Sequence, residues 1–113
     1  MKRWDIINHF IKKYSYTSYL EIGCQKDAAF NKVVIKNRIG VDPERGGTHR
    51  MTSDEFFSMN KESFDIIFVD GLHHHEQVQR DIENALLILN KEGTIIVHDC
   101  NPTTEEMQRV PRV

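Results

Sequence analysis

The sequence predicts a doubly wound α/β domain, because strand-like and helix-like segments alternate along the chain and two strand segments are almost entirely apolar. The apolar segments are residues 64–69 and 94–97. Such runs are typical of parallel strands that helices cover on both faces. The alternation predicts a mostly parallel sheet with right-handed crossovers, and the expected strand order is 3-2-1-4-5.

The first half of the chain predicts two helices and two strands. Residues 4–14 carry apolar side chains at helical spacing, which indicates an amphipathic helix. Residues 18–22 form the first predicted strand, and a brief helix follows over about residues 27–34. The second strand covers residues 38–41 and ends before Pro43, because proline has no N–H to donate to a ladder.

The second half begins with the weakest predicted strand, over residues 48–51. Thr52 and Glu55 then have the spacing of a capping box, which predicts a helix that runs through Met59. Apolar residues at helical spacing over residues 78–89 predict a further helix between the fourth and fifth strands.

Composition limits the classes of partner. The 113 residues are enough for one domain with a core. The 15 basic and 17 acidic residues give a formal net charge of -2, which predicts neither a nucleic-acid nor a membrane partner. No signal peptide or apolar run of about 20 residues is apparent, so we expect a cytoplasmic protein.

Acidic residues mark the ends of four predicted strands: Glu21, Asp42, Asp70 and Asp99. In open α/β sheets, ligands bind beyond the carboxyl ends of the strands. Carboxylates there would repel a pyrophosphate but stabilise a cation. The pattern therefore favours S-adenosylmethionine, which carries a sulfonium and an ammonium group, over a dinucleotide.

Gly23 and Asp42 have the spacing of a nucleotide site. Asp42 follows Gly23 at close to the ~20-residue interval expected between a first loop and an acid that binds ribose hydroxyls. Gly23 would let the backbone approach the ligand closely. Several kinds of nucleotide-binding fold share this interval, so it does not by itself identify the ligand.

Residues 19–23, 41–43, 64–73 and 93–99 together resemble class I S-adenosylmethionine-dependent methyltransferases. The similarity is strongest to the small-molecule and glycan-associated branch, which has an Asp-Gly-x-His segment after the fourth strand. It covers roughly residues 18–102. The resemblance implies a Rossmann-like sheet that normally has seven strands, so this chain would lack the last two.

The resemblance also implies roles in cofactor binding. It assigns the first loop to the methionine moiety, the acid after the second strand to the ribose, and residues after the third strand to the adenine. An acid after the fourth strand would line the methyl-transfer pocket. The implied cofactor-binding residues are Glu21, Gly23, Asp42, Ser53, Asp54 and Asp70.

Candidate catalytic residues follow the last two predicted strands. His73 or His98 could act as a general base on an acceptor hydroxyl, because the reference histidine pKa lies near ~6.5. Asp99 is the third candidate. Asp70 and Asp99 could also share Mg²⁺ or another divalent cation, although turn-forming and helix-capping roles explain the same residues.

The predicted function is methyl transfer to an oxygen or nitrogen of a small-molecule or glycan-precursor acceptor. A NAD-type dinucleotide-binding domain and a non-catalytic binding or assembly module of the same fold are the alternatives. We treat residues 1–113 as one domain that is incomplete at its C-terminus. Thr103 and Glu106 could cap a last helix, which would leave the fifth strand as an exposed edge. That edge predicts a homo-oligomer or a longer chain, and the chain alone could be inactive.

Overall fold

A computed structural model describes residues 3–23, 30–44, 46–70, 75–101 and 104–111, with the backbone alone for residues 3, 70, 75, 98–101 and 104–111. The elements, in chain order, are α1 (Arg3–Tyr14), β1 (Ser18–Ile22), a 3-10 helix (Phe30–Lys32), β2 (Asn37–Val41), α2 (Ser53–Met59), β3 (Phe64–Asp70), α3 (His75–Leu87), β4 (Leu89–Asn101) and β5 (Thr104–Pro111).

The five strands form one sheet in the order β2-β1-β3-β4-β5. The first four strands of that order are parallel, with Ile22 of β1 paired to Val41 of β2 on one side and to Val69 of β3 on the other. This arrangement confirms the predicted doubly wound parallel sheet. It also brings the carboxyl ends of β1, β2, β3 and β4 to the same edge.

The third predicted strand, over residues 48–51, is reduced to a single parallel bridge between His49 and Val41. The backbone N–H groups of Thr48 and His49 both donate to the carbonyl of Gly40, at 2.8 and 2.9 Å. This polar segment offers no apolar run to bury, so it does not extend into a strand. Its place beside β2 preserves the predicted strand order.

Helices cover both faces of the sheet. Ile7 and Ile11 of α1 pack on one face, whereas Phe56 of α2 and Ala85 of α3 pack on the other. Tyr14, the last residue of α1, is 40% exposed, so the apolar spacing over residues 4–14 does not bury every aromatic side chain of the helix. Among the described residues, no helix is long and apolar enough to cross a membrane.

The short helix α2 is fixed by the predicted capping box. The Thr52 hydroxyl accepts from the Glu55 backbone N–H at 3.1 Å, and the Glu55 carboxylate accepts from the Thr52 backbone N–H at 3.2 Å. Phe56, only 3% exposed, anchors the helix to the sheet. Capping and one buried aromatic side chain therefore hold α2 against the upper end of the sheet.

The prediction of a helix over residues 27–34 is wrong for residues 33 and 34, which are not helical. Residues 27–29 of that prediction lie outside the described residues. Among the residues of this segment that the structure describes, only Phe30–Lys32 is helical, as a single 3-10 turn. The Arg38 guanidinium donates to the carbonyl of Phe30 at 2.9 Å, and the Asn8 amide donates to that of Lys32 at 2.9 Å. These side chains satisfy carbonyls that a longer helix would have satisfied internally.

The last segment forms a strand, so the predicted C-terminal helix is wrong. Backbone pairing between β4 and β5 is antiparallel and runs from Asn101↔Thr104 to Thr94↔Pro111. The backbone N–H and C=O groups along the edge of β4 can hydrogen-bond to the whole last segment, whereas the capping pattern of Thr103 and Glu106 would satisfy groups at one helix end only. β4 is therefore not the exposed edge from which oligomerisation was predicted, and the described sheet has one strand beyond the predicted fifth.

Asp65 lies near the start of β3, at the end of the sheet opposite the cavity-forming carboxyl ends, and connects β3 to β4 and to the residue before β1. Its carboxylate accepts from the Thr17 backbone N–H at 2.8 Å, the Thr17 hydroxyl at 3.1 Å and the Asn90 amide at 2.8 Å. Burial raises the pKa of Asp65, but these hydrogen bonds outweigh burial and hold the pKa below its ordinary value.

Candidate functional site

A cavity of about 240 Å³ lies where β1 and β2 end, between the first turns of α2 and α3. Its wall combines apolar side chains from the strand ends with polar side chains from the helices. It is thus at the edge of the sheet where open α/β folds bind ligands. The lining residues are Ile22, Gly23, Val41, Pro43, Thr52, Ser53, Asp54 and Gln77.

Gly23 turns the chain at the end of β1. Its φ is 85°, in the left-handed region that glycine adopts without steric cost. Its N–H donates to the carbonyl of Val41 at 2.8 Å, which ties the turn to the end of β2. The backbone of Gly23 thereby forms part of the cavity wall, and its close approach to a ligand stays a prediction.

Asp42 immediately follows β2 and is not itself a lining residue of the cavity, although Val41 and Pro43 on either side of it are. It is only 5% exposed. One carboxylate oxygen accepts from the backbone N–H of Glu44 at 2.8 Å, and the Asp42 N–H donates to the carbonyl of His49 at 3.2 Å. The carboxylate is therefore held in a fixed orientation at the end of the strand.

Ser53 and Asp54 lie in the first turn of α2 and line the cavity, where they meet a residue that the sequence analysis missed. The Gln77 side-chain amide donates to the Ser53 hydroxyl at 3.0 Å and lies 3.3 Å from Asp54 Oδ1. Gln77 belongs to the first turn of the helix that follows β3. This position, in a first helical turn at the ligand-binding edge, is the sequence signal from which Gln77 could have been predicted as a site residue.

Glu21 does not line the cavity. It is 1% exposed, and its carboxylate accepts a hydrogen bond from the Tyr19 hydroxyl. Alternation along β1 puts both side chains on the face covered by α1, whereas Ile22 contributes to the cavity on the other face. Glu21 thus lies beneath the turn at Gly23 and is separated from the cavity by the strand.

A family model described as a methyltransferase domain matches residues 16–100, which is most of the chain and includes all the strand ends that form the cavity. The chain belongs to this methyltransferase domain family. No curated protein matches it in sequence. Membership of the family favours the methyltransferase interpretation over a NAD-type dinucleotide-binding domain.

Solved methyltransferase structures share the fold. A Staphylococcus aureus protein described as a candidate caffeoyl-CoA O-methyltransferase is 17% identical, with a TM-score of 0.68 over 86% of this chain and 57% of that chain. The sugar N-methyltransferase KedS8 from Streptoalloteichus sp ATCC 53650 is 13% identical, with a TM-score of 0.68 over 89% of this chain and 49% of that chain.

A third structure includes a ligand. The N-methyltransferase NodS from Bradyrhizobium japonicum WM9, in complex with S-adenosyl-L-homocysteine, is 16% identical, with a TM-score of 0.59 over 85% of this chain and 62% of that chain. At these identities the likeness establishes the fold alone. The methyltransferase domain spans about half to three fifths of the length of these structures.

The remaining predicted site residues belong to β3 and β4 or follow β3. Asp70 is the last residue of β3 and the register partner of His98, which lies within β4 and is followed there by Asp99. Their side chains, and the whole of His73, lie outside the described residues. Over the part of the chain that is described, no three His, Cys, Asp or Glu residues form a metal-ligand group. The catalytic and metal assignments therefore stay predictions.

Proposed function

We propose that this methyltransferase domain binds S-adenosylmethionine and, within the complete protein, transfers the methyl group to an oxygen or nitrogen of a small-molecule or glycan-precursor acceptor. The observation that carries the proposal is the cavity at the ends of β1 and β2, inside the matched family region. The acceptor class is carried over from the sequence resemblance, and the sugar N-methyltransferase KedS8 shares only the fold.

The cavity wall suits an adenosine group. Ile22 and Val41 provide an apolar surface for a flat base, and Ser53, Asp54 and Gln77 provide polar atoms at its border. Ligand sites commonly combine a mostly apolar wall with a few placed polar groups. The bound cofactor would supply a methyl group on a sulfonium, which a nucleophile displaces in line.

Asp42 would hold the ribose. A carboxylate accepts from both hydroxyls of a ribose at once, and hydrogen bonds to a charged acceptor are the stronger kind. The hydrogen bond from the Glu44 N–H to Asp42 Oδ1 orients the carboxylate before the ligand arrives. Gly23 would let the methionine moiety pass close to the backbone. Glu21 would lie behind this turn, on the face of β1 that α1 covers.

The reacting groups would come from the neighbouring strand ends. Asp70 would line the methyl-transfer pocket, and His73, His98 or Asp99 would accept the proton of the acceptor. The adjacent positions of Asp70 and His98 in the sheet support this placement. Proximity and orientation would supply most of the rate enhancement, with proton removal as the second contribution.

We further propose a cytoplasmic enzyme that has no nucleic-acid or membrane partner. A homo-oligomer or a longer chain stays a prediction, but the edge of β4 is not its interface, because β5 pairs with that strand. The small formal net charge of -2 supports the absence of a polyanionic partner.

Titration calorimetry with S-adenosylhomocysteine tests cofactor binding. We expect the wild-type chain to bind it and not to bind NAD. Asp42→Asn should weaken binding by about 1.5–3 kcal/mol, which is the range for a hydrogen bond to a charged group. Asp65→Asn is the matched control, because it makes the same chemical change at the far edge of the sheet. A wild-type chain that ignores S-adenosylhomocysteine, or an Asp42→Asn variant of unchanged affinity, would refute the proposal.

A further inference from the structure

Gln77 links helices α3 and α2 at the polar end of the cavity. Its amide nitrogen lies 2.9 Å from Asp81 Oδ1, 3.0 Å from Ser53 Oγ and 3.3 Å from Asp54 Oδ1. Asp81 belongs to α3 and is fully buried, so it is the fixed end of this chain of contacts. Through Gln77, a buried carboxylate in α3 is connected to two cavity-lining residues of α2.

The side-chain amide of Gln77 has one favourable orientation. Its carbonyl oxygen accepts from the Arg80 guanidinium at 2.5 Å, and Arg80 also lies 3.7 Å from Asp54 Oδ2. Rotating the amide by half a turn would bring the carbonyl oxygen against two carboxylates and the NH₂ group against a cation. The contacts on both sides therefore fix the NH₂ group toward Ser53 and Asp54.

The amide nitrogen has more acceptors than hydrogens. An NH₂ group carries two N–H donors, and three acceptor atoms lie within reach. The contact with Asp54 is the longest of the three. Asp54 therefore keeps acceptor capacity for a ligand, while Gln77 and Arg80 hold its carboxylate in place.

We propose that Gln77 is a positioning residue that sets the selectivity of the cavity for an adenine base by orienting Ser53 and Asp54. This inference rests on the proposed function, because it assumes that the base of the cofactor lies at this wall. An adenine amino group donates hydrogen bonds to a carboxylate. The carbonyl of hypoxanthine, in the same place, is an acceptor and would meet that carboxylate unfavourably.

The test compares the affinities of the full chain for S-adenosylhomocysteine and S-inosylhomocysteine by titration calorimetry. We expect the wild-type chain to prefer the adenine compound. Gln77→Ala should weaken binding of that compound about tenfold, as the loss of one hydrogen bond would, and should reduce the preference between the two compounds. Gln77→Met keeps the length of the side chain without its amide, so it should give the same result.

Gln79→Ala is the matched control. Gln79 is an exposed residue of the same helix and lies 3.4 Å from Glu83, away from the cavity-lining residues. It should leave both affinities unchanged, and melting curves would establish that all variants are folded.

Three outcomes would overturn the inference. If both Gln77 variants keep the wild-type affinities, Gln77 does not act on the site. If they weaken both compounds equally, Gln77 has a general structural role and does not set selectivity. If the wild-type chain binds neither compound, the proposed function fails and the inference fails with it, whereas the first two outcomes leave cofactor binding intact.

Discussion

Replacing Gly23 by alanine should damage both folding and cofactor binding. With φ at 85°, an alanine costs about 1–2 kcal/mol in the left-handed region. For a chain of 113 residues this corresponds to a fall in Tm of roughly 4–8 °C. Because Gly23 lines the cavity, the added methyl group should also cost about 1–3 kcal/mol of S-adenosylhomocysteine binding, by analogy with overpacking of a core.

A second glycine separates the two effects. Gly47 has a φ of 70° and does not line the cavity, so Gly47→Ala carries a similar backbone cost without blocking ligand. Thermal melting should give comparable losses for both variants, and calorimetry should give weakened binding for Gly23→Ala alone. If Gly23→Ala binds S-adenosylhomocysteine as the wild-type chain does, the ligand does not approach this turn.

Three further changes test the fold. Asp65→Asn should lower Tm at neutral pH. The pKa of Asp65 is lower in the folded state, so its ionised carboxylate stabilises the fold above the unfolded pKa of ~3.9, and this stabilisation is lost as the pH falls through the folded pKa. The difference in Tm between wild type and variant should therefore shrink in acid. An unchanged difference at low pH would contradict this. Gly93→Ala would place a Cβ 2.6 Å from the Asp65 carbonyl and 2.8 Å from that of Asn90, so its urea midpoint should fall by the equivalent of about 1–3 kcal/mol, and an unaltered midpoint would show that the backbone yields freely. Tyr19→Phe removes a donor to buried Glu21 and should cost about 1–3 kcal/mol in thermal unfolding, whereas a stability equal to wild type would mean that this hydrogen bond contributes nothing net.

The sequence was informative where local signals and burial agree. Residues 64–69 and 94–97 are apolar because helices cover both faces of the sheet, and the structure has strands over both segments. The capping box of Thr52 and Glu55 is a contact between near neighbours, so its spacing alone predicted the start of α2. The region after Asn101 could not be predicted in this way, because pairing with β4 depends on a partner strand whose position is set by the whole sheet.

The candidate site was predictable only in part, for a related reason. Gly23, Ser53 and Asp54 follow or begin elements at the ligand-binding edge, and all three line the cavity. Strand ends alone do not tell on which face a side chain lies, so Glu21 was grouped with Asp42 although it points to the α1 side of the sheet. Gln77 was missed because its role depends on the packing of α3 against α2.

A crystal structure of the chain with S-adenosylhomocysteine would show whether the cavity is the cofactor site. We expect the adenosine group between Ile22, Val41 and the first turn of α2, with both ribose hydroxyls within hydrogen-bonding distance of Asp42. Ligand density elsewhere on the protein, or a ribose bound without Asp42, would contradict this expectation.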